Sequence, residues 1–255
     1  MRLDGKVALV TGGGTGIGRG ISLAFAREGA RVAVSYRRSK DRAEDTVRRI
    51  LDAGGRAVAL QADVRQEREC QRLVDGVVRE WGGLDILVNN AGWTTPVPHD
   101  DLDALRDDIW RQVLDTNLLG AWYCVKHAVP AMRTRGQGVI INVTSVAAFT
   151  GKGSSMAYAA SKAALGSLTR SLARALAPTI RVNSLAPGLV ETDFVGWPPS
   201  VFEAGRHEVS TPDLPTPEDC GEAALFLAAE ARATTGTTIF VDGGVVMLQP
   251  RTATR

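Results

Sequence analysis

The chain has 255 residues, 44% of them hydrophobic, enough to bury the core of one α/β domain. Its 30 basic and 28 acidic residues leave a net charge of +2, and the arginines are scattered, which argues against nucleic acid or an anionic membrane as the main partner. Three cysteines without a CxxC pair (Cys70, Cys124, Cys220) and three dispersed histidines (His99, His127, His207) give neither a disulfide framework nor a metal-ligand cluster, so reduced thiols, a cytoplasmic setting and no bound metal are expected.

The opening apolar run "KVALVT" (6–11) is too short for a signal segment or a membrane span and, rich in β-branched residues, reads as a buried parallel strand. The glycine-rich "TGGGTGIG" (11–18) follows it and opens a helix to about residue 28. "RVAVSY" (31–36) is a second strand, followed by a charged helix to about residue 53. "RAVALQ" (56–61) is a third strand running into "ADV" (62–64), and residues 66–81 are helical. "LDILVNNAG" (84–92) reads as a strand ending in a polar turn, and residues 100–134 as one long helical region. "GVIINVTS" (138–145) is the fifth strand, 156–177 an alanine-rich helix and "IRVNSLAPG" (180–188) the sixth strand. Residues 189–216 read as a loose, proline-bearing stretch, 217–229 as a helix, "TTIFVDGG" (237–244) as a last strand and "RTATR" (251–255) as a frayed tail. Strands alternating with helices predict an α/β Rossmann fold: a single domain over 1–255 with a doubly wound parallel sheet of about seven strands. In such sheets ligands bind outside the carboxyl ends of the strands.

The turns after the strands therefore carry the chemistry. Glycines at 12, 14, 16 and 18 allow a tight turn and let backbone N–H groups approach a pyrophosphate at the helix N-terminus; the spacing is GxxxGxG (Gly12, Gly16, Gly18). The end of the second strand, where an NAD-binding fold places an acid for the ribose, carries Tyr36, Arg37 and Arg38 instead. An arginine pairs with a 2′-phosphate in bidentate fashion, so NADP(H) is favoured, with NAD(H) as the second cofactor. In "SSMAYAASKAAL" (154–165), Tyr158 and Lys162 stand four apart on one helical face. An ammonium beside a phenol favours phenolate, which would lower the Tyr158 pKa and suit it as general acid and base for a carbonyl/alcohol pair. Ser145, at the carboxyl edge of the fifth strand, is placed to hold the substrate oxygen.

Taken together, TGGGTGIG (11–18), NNAG (89–92), Asn117 in "DTNLLG", Ser145, YAASK (158–162), and PG (187–188) followed by Thr192 resemble the short-chain dehydrogenase/reductase family, and in particular its members similar to 3-oxoacyl-carrier-protein reductases. The resemblance covers essentially the whole chain. It implies that Tyr158 is the proton donor or acceptor, that Lys162 lowers its pKa and binds the nicotinamide ribose, that Ser145 orients the substrate oxygen and that Asn117 holds a water linked to Lys162. It implies a cofactor site of Gly12, Gly14, Thr15, Gly16, Ile17 and Gly18 on the pyrophosphate side. Tyr36 and Arg37 would bind the cofactor at the end of the second strand, Asp63 and Val64 would meet the adenine, and Asn90, Ala91 and Gly92 would line the adenosine ribose and central floor. Pro187, Gly188, Val190 and Thr192 would face the nicotinamide. Thr15 stands where many NADP-preferring members carry a basic residue, which leaves the phosphate to Arg37, with Arg38 and Ser35.

The same resemblance makes residues 189–216 a substrate lid, with Trp197 and Phe202 as an apolar cover stiffened by prolines. Trp93 and Met156 are further candidates for the substrate pocket. Trp110, Trp122 and Tyr123 are read as core or subunit interface, and helices 108–134 and 158–177 as the pair through which similar proteins form homodimers or homotetramers. The expected function is an NADP(H)-dependent oxidoreductase acting on a small-molecule carbonyl or secondary alcohol. The alternatives are an NAD-dependent sugar or alcohol dehydrogenase and, from another class, a non-catalytic NADP-binding sensor or scaffold.

Overall fold

The computed structural model describes residues 1–248; the tail expected to fray at 251–255 lies outside them. Seven short strands form one sheet: β1 (Val7–Val10), β2 (Arg31–Tyr36), β3 (Arg56–Gln61), β4 (Ile86–Asn89), β5 (Gly138–Val143), β6 (Ile180–Pro187) and β7 (Thr238–Val241). Every pairing is parallel, in the order β3-β2-β1-β4-β5-β6-β7. Val10 lies level with Val34 of β2 on one side and with Val88 of β4 on the other.

The pleat explains why β1 is apolar at every position. Ala8 and Val10 face one layer, with Ile21 and Phe25 of α1 (Gly16–Arg27), Ile50 of α2 (Lys40–Asp52) and Leu225 of α9 (Pro217–Ala229). Val7 and Leu9 face the other, with Leu73 and Val77 of α3 (Glu67–Trp81), Cys124 and Met132 of α5 (Gly120–Thr134) and Leu172 of α7 (Met156–Leu176). A strand covered on both faces has no polar side to show. The chain is thus a doubly wound Rossmann fold, and its strand order reverses between β1 and β4, where the carboxyl ends part to leave a crevice. The three cysteines are buried and unpaired, and no helix among the described residues is long and apolar enough to cross a membrane.

Three elements differ from the sequence expectation. Helix begins at α4 (Asp107–Leu114), not at residue 100, and a π-helical segment (Asp115–Leu119) separates α4 from α5. The stretch read as loose holds a ten-residue helix, α8 (Pro199–Glu208), because Pro199 occupies its first turn, where the missing N–H costs nothing. Of the three aromatics read as core or subunit interface, Tyr123 packs into the second layer and Trp110 against Ile109 and Val113, while Trp122 is 41% exposed and so is not core.

Candidate active site

The glycine turn and the loop after β4 brace each other. The Thr11 hydroxyl donates to the Val88 carbonyl (3.2 Å) and accepts the N–H groups of Asn90 and Ala91 (3.0 Å each). The Asn90 carboxamide donates to the carbonyls of Thr11 (2.9 Å) and Gly12 (3.1 Å). Gly12 and Gly16 have positive φ (63° and 47°), which glycine alone adopts without strain. Gly18 is buried by packing, since a Cβ there would lie 2.2 Å from the Gly12 carbonyl oxygen. No side chain caps α1 and no acid stands in its first turn, so the N–H groups there face the cavity without an acceptor of their own. That donor set fits an anionic phosphate.

On the other side of the switch point, Ser155 caps α7 by accepting the Tyr158 N–H (3.2 Å), which fixes Tyr158 in the first turn. One turn on, the buried Lys162 ammonium donates to the Val143 carbonyl at 2.8 Å and lies 5.7 Å from the Tyr158 ring centroid. Asn117, in the π-helical segment, is fully engaged: its oxygen accepts the Trp93 N–H (2.7 Å), and its nitrogen donates to the Trp93 carbonyl (3.1 Å) and the Ser161 hydroxyl (3.0 Å). Ser161 in turn donates to the Tyr158 carbonyl (2.7 Å). Asn117 is therefore a brace between the β4 loop and α7.

The electrostatics correct one expectation. Burial pushes the Tyr158 phenol up to about 12 rather than down, and only the Ser145 hydroxyl beside it acts in the opposite sense. Burial likewise brings the Lys162 ammonium down to about 8. The physical reason is that the ammonium donates to the Val143 carbonyl at the end of β5, which leaves burial to set the direction at the phenol. At neutral pH both groups hold their protons.

A cavity of about 1130 Å³ runs along the carboxyl ends of the strands. It brings together Gly12, Gly14, Thr15, Gly16, Ile17, Tyr36, Arg37, Asp63, Val64, Asn90, Ala91, Gly92, Pro187, Gly188, Val190 and Thr192 with Ser145, Tyr158, Lys162, Trp93 and Trp197. Four of the sequence candidates do not line it. Gly18 and Asn117 stand behind the wall, and Met156 points to solvent. Phe202 is buried inside the lid with Val209 and Leu214, with Leu189, Trp197 and Val245 packed around them. Phe194 takes the place foreseen for an aromatic cover: its ring centroid lies 6.2 Å from that of Tyr158. Sequence reading also missed Arg42, at the first turn of α2, and Lys152, between the one-turn helix α6 (Ala147–Thr150) and α7, both on the cavity wall. Arg37 beside Arg65 and Asp63 is partly desolvated, which pulls its pKa below the ordinary value. Asp63 itself is held well ionised by a bidentate bond from Arg65 (2.5 and 3.0 Å).

Comparison with known proteins accords with this geometry. Residues 12–246 match the family model described as enoyl-(acyl carrier protein) reductase. The chain belongs to the short-chain dehydrogenase/reductase family. It is 40% identical to the protein named ketoacyl reductase 2 of the granaticin polyketide synthase of Streptomyces violaceoruber, over 96% of this chain and 98% of that one. It is 38% identical to the 3-oxoacyl-acyl-carrier-protein reductase of Staphylococcus aureus, over 95% and 98%. A 7α-hydroxysteroid dehydrogenase solved with NADH and 7-oxoglycochenodeoxycholic acid superposes with a TM-score of 0.89 at 37% identity, covering 97% of both chains. The chain is thus an oxidoreductase of the carbonyl/alcohol type found throughout these relatives.

Proposed function

We propose that this chain is an NADP(H)-dependent reductase of a ketone on a small-molecule substrate, with Tyr158 as the proton donor. The observation that carries the reading is the convergence, in one cavity, of a phosphate-fitting glycine turn, an arginine pair at the end of β2 and a protonated phenol beside a serine hydroxyl. The dihydronicotinamide supplies a hydride. The chain's own residues do the rest: Ser145 orients the carbonyl oxygen, Tyr158 delivers its phenolic proton to that oxygen, and the Lys162 ammonium favours the phenolate left behind. Val195, Trp197, Val201, Val209 and Leu214 make the substrate end apolar and exclude water from the reacting centre. Leu119 and Trp122 leave an apolar strip on and beside α5, which supports self-association through this helix and α7.

Cofactor preference tests the reading. Arg37 and Arg38 stand where an acid would reject a 2′-phosphate, so a panel of ketones is expected to be reduced faster, at equal low cofactor concentration, with NADPH than with NADH. Arg37→Asp is expected to invert that preference, mainly through KM for NADPH. Equal use of both cofactors before and after the substitution would refute the assignment of the phosphate to Arg37. Absence of any turnover with tightly bound NADPH would favour the scaffold alternative.

A further inference from the structure

Arg42 leaves the first turn of α2 and lines the cavity beside Ser35, Arg37 and Arg38. Its backbone is fixed from below. The Arg42 carbonyl accepts from the Thr46 hydroxyl (3.1 Å) and from Arg19 (3.4 Å). Ala43 packs so closely on the glycine turn that a Cβ on Gly14 would lie 2.8 Å from the Ala43 Cα. The guanidinium therefore emerges next to the turn whose free N–H groups fit a phosphate. Its present partner is Asp193 of the lid, Nη1 to Oδ2 2.8 Å. Asp193 is also at the turn, because the preceding Thr192 sits with its methyl 3.2 Å from where a Cβ on Gly16 would be. The ion pair thus straps the lid to α2 across the mouth of the cleft. Two neighbouring cations are committed elsewhere, Arg19 to Thr46, the Gly14 carbonyl and Asp45, and Arg65 to Asp63, while Arg37 and Arg38 share the cavity wall with Arg42.

Two features make the strap exchangeable. Its side chains are 54% and 81% exposed, so it is a weak, solvent-screened pair. A dinucleotide seated on the turn would bring phosphate charge near the Asp193 carboxylate, a like charge, and would offer the arginine fork several charged acceptor oxygens in place of one carboxylate. We infer that Arg42 is a specificity residue for the cofactor's phosphates, and that it exchanges Asp193 for a phosphate ester when the dinucleotide binds. The exchange has a consequence at the acid. Phe194, next to Asp193, lies against Tyr158, so freeing Asp193 releases the segment that covers the phenol. This inference rests on the dinucleotide reading above.

The test is a set of NADPH and NADH dissociation constants, read from nucleotide fluorescence, for wild type, Arg42→Ala, Asp193→Asn and the double variant. Arg42→Ala is expected to weaken binding about tenfold or more, the size of one charge-assisted bond. Asp193→Asn is expected to tighten it by about two- to fivefold, the size of an exposed ion pair. In the double variant the gain from Asp193→Asn should vanish, because nothing remains for it to release. A loss confined to NADPH assigns Arg42 to the 2′-phosphate, and an equal loss for NADH assigns it to the pyrophosphate; both support the exchange. Arg42→Lys, which keeps the charge and loses the fork, gives the same reading with a smaller loss if the alanine variant is poorly folded. Binding within twofold of wild type in the Arg42 variants would overturn the inference. So would a gain from Asp193→Asn that persists undiminished without Arg42, since Asp193 would then act by repulsion alone. A wild type that binds neither nucleotide would instead sink the dinucleotide reading itself.

Discussion

Tyr158 and Lys162 are readable as a pair from their spacing, but their electrostatics are not. Helical periodicity places them on one face; it does not say that the ammonium turns to the Val143 carbonyl or that both groups lose water. Lys162 yields a linkage prediction. Its pKa falls from 10.5 in the free side chain to about 8 in the fold, so between those values the unfolded chain binds more protons than the native one. Stability contributed by this site is therefore lowest below pH 8 and rises as the pH climbs to 10.5, by roughly 3–4 kcal/mol at 1.4 kcal/mol per pKa unit. Lys162→Met should remove that rise: the difference in unfolding free energy between wild type and variant, from urea titrations at pH 8 and pH 10, should move in favour of wild type at the higher pH. The unpaired Val143 carbonyl in the variant costs the same at both, so it does not mask the slope. A pH-independent difference would show that the ammonium is not desolvated. Arg42 marks the opposite limit of residue-scale reading: it sits in the charged run "RRSKDR" (37–42), and nothing in the run says that Arg42, a turn into the helix, reaches the cavity along with Arg37 and Arg38 while Lys40 does not.

At the scale of elements, the strands and most helices followed from apolar runs and periodicity, because a parallel sheet covered on both sides demands uninterrupted apolar strands. The π-helical segment did not, because widening the helix by one residue per turn leaves the apolar spacing of "DTNLLGAW" within helical tolerance. Helix α8 was hidden by its prolines, which read as breakers although Pro199 stands at the one place a helix welcomes it. Phe202 and Trp197 were legible as apolar lid residues; which of them faces the cavity depends on how α8 rolls onto Leu214 and Val245. Helix packing gives a second prediction. Gly20 of α1 lets α9 approach until a Cβ would lie 2.1 Å from the Pro217 carbonyl oxygen, a backbone atom that cannot swing aside. Gly20→Ala should therefore destabilise the fold by about 1–3 kcal/mol, despite the better helix propensity of alanine, and lower the urea midpoint accordingly. An unchanged or higher midpoint would mean that α1 and α9 part at little cost.

At the scale of the molecule, the reversal of strand order between β1 and β4 gathers residues 11–18, 89–92, 145, 158–162 and 187–192, far apart in sequence, along one crevice. The position of that crevice was legible from the alternation of strands and helices alone. Its closure by Asp193 and Phe194 was not, because a lid's pose is set by contacts between distant segments rather than by local pattern. The function proposed for the crevice depends on one proton moving from the Tyr158 phenol to a carbonyl oxygen oriented by Ser145. The most direct measurement is NADPH-dependent ketone reduction by Tyr158→Phe, alongside its NADPH dissociation constant and unfolding midpoint. Removing a general acid costs about 100- to 10,000-fold in turnover, with cofactor binding and stability close to wild type. A variant that reduces the ketone at the wild-type rate would contradict the account.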